Sequence, residues 1–400
     1  MTMTLARRTL LTTIGPGVGI ALAQAGPAPD RDILVVAFLR FGCDGLMLVP
    51  PADDADYRAA RPTLAARSSG PGAALPIGQL DGVQFFFHPN MAGLKSLYDQ
   101  RELAVIHAAG IDTESRSHFI SQDKVERGIA DGEPSVPGGW LGRHLLARNL
   151  TLPGLGAISG AADVDTSLQG FPAVVAVPDI TRFDVAGGDF NLAVIDAMHV
   201  GPEPAVASAR ATIDTIKTVK ARLLSSPRSP LSEAGYSTHR YSTALKSIAD
   251  IIKAGVGLDV ATVDLDGWDH HVNLQNFFPD QALELSRALS AFWTDVGALR
   301  RRITLVAMTE FGRRVEENAN GGLDHGAAGA MLVLGGNVNG GRVYGRWPGL
   351  KPAALRSGDL AVTTDYRLVL SEILAKRRGE TTLSAVFPTV PYHPLGIVRA

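Results

Sequence analysis

Short apolar runs alternate along the chain with longer segments in which apolar residues recur every three or four positions. Four runs of strand length are almost continuously apolar: 33–39, 103–107, 258–263 and 303–308. Such runs are typical of a parallel sheet that is buried on both faces. The periodicity of the other segments predicts helices at 91–100, 118–128, 140–150, 205–224, 232–254, 281–299 and 366–377. This alternation predicts an α/β fold with a mostly parallel central sheet flanked by helices.

Two internal segments lack this pattern. Residues 53–82 are rich in Ala, Pro, Gly and Ser and predict a long surface excursion. Residues 151–204 carry Gly and Pro between short apolar runs and predict strands and loops inserted into the main fold. We expect one large domain over residues 31–398.

The N-terminal residues are typical of an export signal. Arg7 and Arg8 precede a short apolar region, and Ala23-Gln-Ala25 fits a small-x-small cleavage site. The pattern predicts a twin-arginine signal peptide over residues 1–25, with a general secretory signal as the alternative. We therefore expect the twin-arginine translocase as a partner during export, and a mature chain that is periplasmic or extracellular.

The composition excludes several classes of protein. Hydrophobic residues make up 46% and charged residues 20% of the chain, which favours a sizeable core over disorder. Lys and Arg (38) nearly balance Asp and Glu (40) without a basic stripe, so nucleic acid is not an expected partner. The apolar runs after the N-terminus are shorter than the roughly 18 residues of a membrane span, so no transmembrane segment is expected in the mature chain. Cys43 is the single cysteine, which excludes an internal disulfide.

Polar groups follow each of the four predicted strands. In open parallel sheets, ligands bind at the carboxyl ends of the strands. Carboxylates and imidazoles together are ligands for cations such as zinc or manganese. The candidate groups in chain order are Asp44, then Ser115 to His118, then Asp264, Asp266, Asp269, His270 and His271, and then Glu310, Arg313, Asp324 and His325. Together they predict a divalent metal site at this edge of the sheet.

The segment after the third strand is the most informative. Asp269 and His271 are separated by one residue, so in an extended segment both side chains project to the same side and can meet one ion. His270 would point the other way and is expected to be structural. Asp266 either joins the ligands or orients His271. The alternative is that Asp264 and Asp266 only cap loops.

The other ligand candidates also have structural alternatives. Asp324 and His325 form an Asp-His pair in a Gly-rich loop, where the backbone can approach a ligand closely. Glu310 is either a metal ligand or the ion-pair partner of Arg313. Asp44 lies between two glycines and is either a ligand or a turn residue.

The start of the predicted helix 118–128 offers a nucleophile. Ser115 and Ser117 are either N-cap residues or, next to a metal, nucleophiles with an activated hydroxyl. Ser117 is the better candidate for the nucleophile. Arg116 or Arg313 would hold a substrate oxygen that is not transferred.

Several motifs together resemble the exported bacterial family called domain of unknown function 1501. They are Phe38–Leu46, Ser115–Phe119 with Gln122–Asp123, Gly138–Arg143, Gly267–Asp269 with His271, Thr309–Arg313, Asp324–Gly326, Gly341–Gly345 and Thr364–Arg367. That family is similar to the alkaline phosphatase and sulfatase superfamily, in which an α/β core holds one or two divalent metals beside a Ser, Thr or modified Cys nucleophile.

The resemblance implies roles for individual residues. Asp44 matches the superfamily's first-strand aspartate, Asp269 and His271 resemble its later Asp/His pair, and His325 resembles its final histidine. Glu310 stands where that superfamily usually has Asp-His, which is a departure from its pattern. The Cys-x-Pro-x-Arg context needed to modify a cysteine is missing around the single cysteine, which disfavours an ordinary sulfatase.

These observations predict an exported metal-dependent hydrolase of phosphate or sulfate esters, acting on a small-molecule or polymer ester. The expected cofactor is one or two divalent ions, with zinc favoured over manganese, magnesium or calcium. The expected metal ligands are Asp44, Asp269, His271, Glu310, Asp324 and His325. The alternative is a non-catalytic exported protein for metal binding or assembly that retains the hydrolase fold.

Overall fold

The computed structural model describes residues 31–111, 113–148, 155–184, 187–201, 203–226 and 228–400. The predicted signal peptide, residues 1–25, lies outside the described residues. The strands are β1 (Ile33–Leu39), β2 (Leu75–Leu80), β3 (Val83–Phe87), β4 (Leu103–Gly110), β5 (Ala157–Ser159), β6 (Val174–Ala176), β7 (Val260–Leu265), β8 (Ile303–Met308), β9 (Gly329–Gly335), β10 (Val343–Tyr344) and β11 (Thr364–Asp365). The helices are α1 (Gly45–Leu48), α2 (Ala55–Ala60), α3 (Ala92–Asp99), α4 (His118–Arg127), α5 (Trp140–Ala147), α6 (Gly188–Met198), α7 (Pro204–Ser225), α8 (Arg240–Ala254), α9 (Leu274–Asp295), α10 (Tyr366–Arg378) and α11 (Leu383–Val386).

The large sheet has the strand order β10-β4-β9-β8-β1-β7-β5-β6, and β11 pairs with β4. The strand β1 lies near the centre and is parallel to both β7 and β8. The strand β9 is antiparallel to its neighbours β8 and β4. The other pairs described within this sheet are parallel. The predicted fold class, α/β with a mostly parallel sheet flanked by helices, is confirmed.

The continuous apolar sequence of β1 reflects burial on both faces of the sheet. Alternate side chains from Ile33 to Leu39 pack into one apolar cluster with residues of α3, α8 and α9. The intervening side chains, such as Val36, pack into a second cluster with residues of α4, α5 and α10. Since both faces are covered, the strand has no position at which a polar residue would reach water.

Several predicted boundaries differ from the structure. Residues 53–82 contain α2 and β2, and β2 forms a two-stranded antiparallel sheet with β3 instead of a plain surface excursion. Strand β7 runs to Leu265, so Asp264 lies inside the strand and not after it. Helix α9 begins at Leu274, well before the predicted start, and contains Pro279 in its early turns. The segment 151–204 supplies β5 and the edge strand β6, as well as α6.

The connection between β8 and β9 positions several polar groups. Because these strands are antiparallel neighbours, residues 309–328 form a loop with no crossover helix. A Cβ atom at Gly312 would overlap the carbonyl of Ala328, and one at Gly326 would overlap the backbone of Arg313. The sequence predicted that the backbone at Gly326 approaches a ligand closely, but in the structure the close neighbour is the protein's own backbone. It lets the two arms of the loop pair as an antiparallel bridge between Arg313 and His325.

Candidate metal centre

Three imidazoles and one carboxylate converge where β4, β7 and β8 end. His118 begins α4, Asp269 and His271 follow β7, and His325 lies in the β8–β9 loop. The Asp269 Oδ1 atom lies 3.2 Å from His118 Nε2, 3.1 Å from His271 Nε2 and 3.3 Å from His325 Nε2. We call these four residues the His/Asp cluster. The strand-end rule thus brings together residues that are up to 207 positions apart, between 118 and 325 in the chain.

The spacing of the His/Asp cluster suits a tetrahedral ion. A zinc ion with ligands at about 2.0–2.1 Å separates its ligand atoms by about 3.3 Å. The three distances to Asp269 Oδ1 lie close to that value. His271 Nε2 and His325 Nε2 are somewhat closer, at 2.8 Å. Ligand atoms of His118, Asp269 and His325 all lie within 4.8 Å of one another.

Each imidazole is held from behind by an oxygen acceptor at its Nδ1 atom. The pairs are His118 Nδ1 with Glu310 Oε1 (2.8 Å), His271 Nδ1 with Asp324 Oδ1 (3.1 Å) and His325 Nδ1 with the Arg116 carbonyl (2.6 Å). A neutral imidazole that donates from Nδ1 keeps its lone pair on Nε2. These contacts therefore assign the tautomer in which all three Nε2 lone pairs face the His/Asp cluster, as in many metal sites.

The cluster fits a cation. His118 Nε2 is buried and has no hydrogen-bond partner within the described residues. In the assigned tautomers, three lone pairs lie 3.1–3.3 Å from one carboxylate oxygen. The guanidinium of Arg313, 2.8 Å from Asp269 Oδ1 and 3.5 Å from His271 Nε2, relieves this unfavourable arrangement only in part, because it leaves His118 Nε2 without a partner among the described residues. A divalent ion at this point would be a partner for all four atoms.

Arg313 supports the carboxylate of the cluster. Its guanidinium is 2% exposed and donates to Asp269 Oδ1 at 2.8 Å. Its other donors go to the carbonyls of Phe41, Gly42, Trp268 and Leu323. Burial raises the pKa of Asp269, but the hydrogen bond and charge of Arg313 outweigh it and bring that pKa to about 2. Because its donors are engaged inside the protein, Arg313 is placed to orient Asp269 rather than to hold a substrate oxygen.

Glu310 lies behind the cluster and not in it. Its carboxylate is 1% exposed and accepts from Phe41 N at 2.9 Å and from Gln122 Nε2 at 3.1 Å, besides its contact with His118. These partners differ from Arg313, the ion-pair partner that the sequence suggested for Glu310 as the alternative to a metal. Asp324 similarly stands behind an imidazole and is 57% exposed.

Asp44 is engaged by an internal cation. It is 2% exposed, and its Oδ1 accepts from Arg61 Nη2 at 3.1 Å while its Oδ2 pairs with Arg61 Nη1. Arg61 is itself fully buried and also donates to the carbonyls of Arg314 and Val315. Asp44 also accepts from Leu46 N and caps α1, which corresponds to the turn alternative. The structure thus satisfies this carboxylate without an ion.

The acids that precede the cluster are also paired. Asp264 accepts from Arg40 Nε at 2.6 Å. Asp266 pairs with Arg240, so it is not the residue that orients His271. His270 is buried among aromatic rings, and burial lowers its pKa to about 4, consistent with a structural role.

The proposed nucleophile and anion-binding residues lie beside the cluster. Ser117 is the N-cap residue of α4, but its side chain makes no capping hydrogen bond, and it directly precedes His118. Arg116 pairs with Asp359 and donates to the His325 carbonyl at 3.0 Å. It thereby fastens the loop that carries His325. Cys43 is buried, and burial raises its thiol pKa well above the ordinary value, which makes it a poor nucleophile.

One segment of the chain matches a known protein family. Residues 210–373 match a family described as proteins of unknown function, DUF1501. The matched segment is similar to the same family that the motifs resemble. No curated protein matches the chain in sequence. Among solved structures, the chain is similar to the C-terminal periplasmic domain of EcEptC from Escherichia coli, in complex with Zn, with a TM-score of 0.38 and 10% identity over 78% of this chain and 74% of that chain.

The DUF1501 segment contains three members of the cluster, Asp269, His271 and His325, together with Arg313 and Glu310. His118 precedes the segment and was missing from the predicted ligands. Two signals could have identified it, because it follows a predicted strand and belongs to the Ser115–Phe119 motif. The sequence alone did not single out His118 as a ligand, because polar residues at a helix start are usually explained by helix capping.

One side of the cluster is open to solvent. The side chains of Asp269 and His271 are 41% and 40% exposed, whereas that of His118 is 10% exposed. Phe311 closes the inner side, with its ring stacked 4.9 Å from His118 and lying 5.0 Å from His325. A molecule in solvent could therefore reach the cluster at Asp269 and His271. Among the described residues, no helix is long and apolar enough to pass through a lipid bilayer.

Proposed function

We propose that the chain is an exported metal-dependent hydrolase of phosphate or sulfate esters. The observation that carries the proposal is the convergence of three imidazole Nε2 atoms on Asp269 Oδ1, with each imidazole fastened at Nδ1. His118, Asp269, His271 and His325 would hold the ion. Imidazole and carboxylate ligands in this number favour zinc over magnesium or calcium, which prefer oxygen ligands.

The structure supports one ion rather than two. Asp44, the expected first-strand ligand, is neutralised by the buried guanidinium of Arg61. Glu310 and Asp324 are committed to orienting imidazoles. The remaining acids near the strand ends are paired with arginines, as described above. A second ion would therefore need to displace an internal cation.

The residues of the chain would contribute position and charge. When bound, such an ion neutralises ester oxygens and lowers the pKa of water. Glu310, Asp324 and the Arg116 carbonyl keep the imidazoles oriented, and Arg313 holds the carboxylate of Asp269 in position. The open side at Asp269 admits the ester. Either water or the Ser117 hydroxyl, at the residue next to His118, would supply the attacking oxygen.

Elemental analysis of the purified mature protein tests the metal site. We expect about one equivalent of a transition metal, which His271→Ala removes together with activity towards a panel of phosphate and sulfate esters. His393→Ala, which removes an exposed histidine outside the cluster, is the matched control. A protein that carries no metal and binds none on titration would refute the proposal.

The proposed location is testable as well. It rests on the twin-arginine pair of residues 7 and 8. Replacing both arginines by lysine should leave the protein in the cytoplasmic fraction of a host with twin-arginine export. Normal export of that variant would favour the general secretory alternative.

The second candidate is a non-catalytic metal-binding or assembly protein. Two observations favour it: the donors of Arg313 are engaged inside the protein, and Ser117 directly precedes a cluster histidine without a hydrogen-bonded base at its hydroxyl among the contacts described. Full metal occupancy without turnover of any ester in the panel would support this candidate. Turnover that depends on His271 would exclude it.

A further inference from the structure

Arg116 contacts His325 at two points. The backbone carbonyl of Arg116 accepts from His325 Nδ1 at 2.6 Å, and Arg116 Nη1 donates to the backbone carbonyl of His325 at 3.0 Å. This reciprocal pair of hydrogen bonds fastens the segment before α4 to the loop between β8 and β9. Since Arg116 precedes His118 by two residues, the same contact sets how two imidazoles of the His/Asp cluster lie relative to each other.

Asp359 anchors the guanidinium of Arg116. The Arg116 side chain is 46% exposed, whereas that of Asp359 is 1% exposed, and Arg116 Nη2 pairs with Asp359 Oδ2. An exposed arginine on its own samples many rotamers, and confining it costs free energy. A buried carboxylate is poorly screened by water, so it attracts a cation more strongly than a surface carboxylate does. The ion pair therefore restricts Arg116 to the arrangement in which Nη1 reaches the His325 carbonyl.

The backbone around Asp359 is attached to the loop that carries His325. Asp359 forms an antiparallel bridge with Arg314, in the first arm of that loop, and the carbonyl of Leu360 accepts from Ala328 N, in the second arm, at 3.1 Å. Within the described part of the chain, the hydrogen bonds and ion pairs of the Asp359 side chain go to Arg116 and not to a member of the cluster. An effect of this carboxylate on a bound ion must therefore pass through Arg116.

We propose that Asp359 is a positioning residue of the metal centre and that it acts through Arg116 on His325; this inference rests on the proposed metal site. Both Nη atoms of Arg116 are then committed to the protein, one to Asp359 and one to the His325 carbonyl. This role differs from the one in which Arg116 holds a substrate oxygen. Loss of Asp359 should loosen His325 and weaken binding of the ion, while binding of an anion to the ion itself should be unaffected.

Zinc affinity tests the proposal. The full chain is compared with Asp359→Asn, Arg116→Met and the double variant, by competition with a zinc chelator. Partners behind ligating imidazoles are worth about 10- to 100-fold in metal affinity, and Asp359 acts one contact further away, so we expect each single variant to lose about tenfold. The double variant should lose no more than the weaker-binding single variant, because both changes break the same chain of contacts.

The double variant also separates positioning from stability, which is measured in urea on the metal-free proteins. Arg116→Met leaves a buried carboxylate without its cation and should destabilise the fold. Adding Asp359→Asn removes that charge and should restore part of the stability, but it should not restore zinc affinity. The matched control is Asp32→Asn, since Asp32 pairs with Arg377 at the end of β1 that is opposite to the cluster. This control should bind zinc like the wild type.

Inorganic phosphate distinguishes the two roles of Arg116. In the zinc-saturated proteins, Asp359→Asn and Arg116→Met should bind phosphate within about twofold of wild type. A loss of phosphate affinity of about tenfold without a change in zinc affinity would assign Arg116 to the substrate anion and overturn the inference.

Zinc affinity within about twofold of wild type in Asp359→Asn, or additive losses in the double variant, would also overturn it. Those results leave the hydrolase proposal intact. Zinc affinity that depends on Asp359 without turnover of any ester would refute hydrolysis alone, and a wild-type chain that binds no zinc would overturn both proposals.

Discussion

Glu310→Gln is the most direct test of how the chain prepares its metal site. The side chain keeps its shape but loses its charge. In the structure, Glu310 Oε1 accepts from Phe41 N, Gln122 Nε2 and His118 Nδ1. An amide oxygen has two lone pairs and can keep two of these contacts at full strength. The new amide nitrogen would face Thr309 Oγ1, which donates its proton to the Leu39 carbonyl at 2.7 Å and can accept. We therefore expect the variant to fold.

The expected loss is in metal affinity. A carboxylate behind a ligating imidazole raises its basicity, and removing such a partner costs about 10- to 100-fold in metal binding, or about 1.4–2.8 kcal/mol. Because Glu310 is 1% exposed and its charge is poorly screened by water, we expect the upper half of this range. Competition with a zinc chelator measures the affinity, and thermal unfolding of the metal-free proteins checks the fold.

A buried glutamate outside the site provides the control. Glu372 is fully buried and accepts from the N–H groups of Leu395, Gly396 and Val398. Glu372→Gln should alter stability but not metal affinity. If Glu310→Gln binds zinc within about twofold of wild type while keeping its fold, the reasoning from the His118 contact to the metal site is refuted.

Three further predictions concern stability. Arg313→Lys should lower the free energy of unfolding, measured in urea, by about 3–5 kcal/mol, because a lysine ammonium cannot donate to Asp269 and to several separate carbonyls at once. A loss below about 1 kcal/mol would contradict this prediction. Leu305→Ala, at a fully buried position of β8, should cost about 2–5 kcal/mol by the same assay, and a near-neutral effect would mean that the sheet is loosely packed. Burial, with the charge of Asp165, raises the pKa of Asp264 from 3.8 to about 7 despite Arg40, so the folded protein holds a proton that the unfolded chain releases. The stability that Asp264 contributes is therefore full below pH 4 and is lost as the pH rises through 7. In the metal-free protein, Asp264→Asn should make the free energy of unfolding less dependent on pH across this window. An unchanged pH profile would refute the raised pKa of Asp264.

Local patterns allowed much of the sheet to be predicted from the sequence. The strands β1 and β8 have the predicted bounds because they are apolar at positions facing both layers of helices. The end of β7 was placed too early because Asp264 looks like a loop residue, although it accepts a hydrogen bond from Arg40 inside the fold. The antiparallel direction of β9 was not predictable, since an apolar run carries no information about strand direction.

The site was predictable where it is local. Asp269 and His271 were expected to project to one side because one residue separates them, and the structure places their ligand atoms 3.1 Å apart. The contact between His118 and Glu310 spans 192 positions, so no spacing rule could reveal it. Pairs of this kind are created by the strand order of the sheet, which the sequence alone did not determine.

Internal cations compete with a metal ion for acids at the strand ends. Asp44 has the burial and position of a ligand, yet it faces the buried guanidinium of Arg61, which binds both of its oxygens. Asp269 also faces an arginine, but in addition it faces three imidazole nitrogens, one of which is orphaned. Arg313 Nη1 also lies 3.5 Å from His271 Nε2, but His118 Nε2 is left without a hydrogen-bond partner among the described residues. The histidines fastened at Nδ1, rather than the acids, are therefore the stronger indication of the proposed metal site.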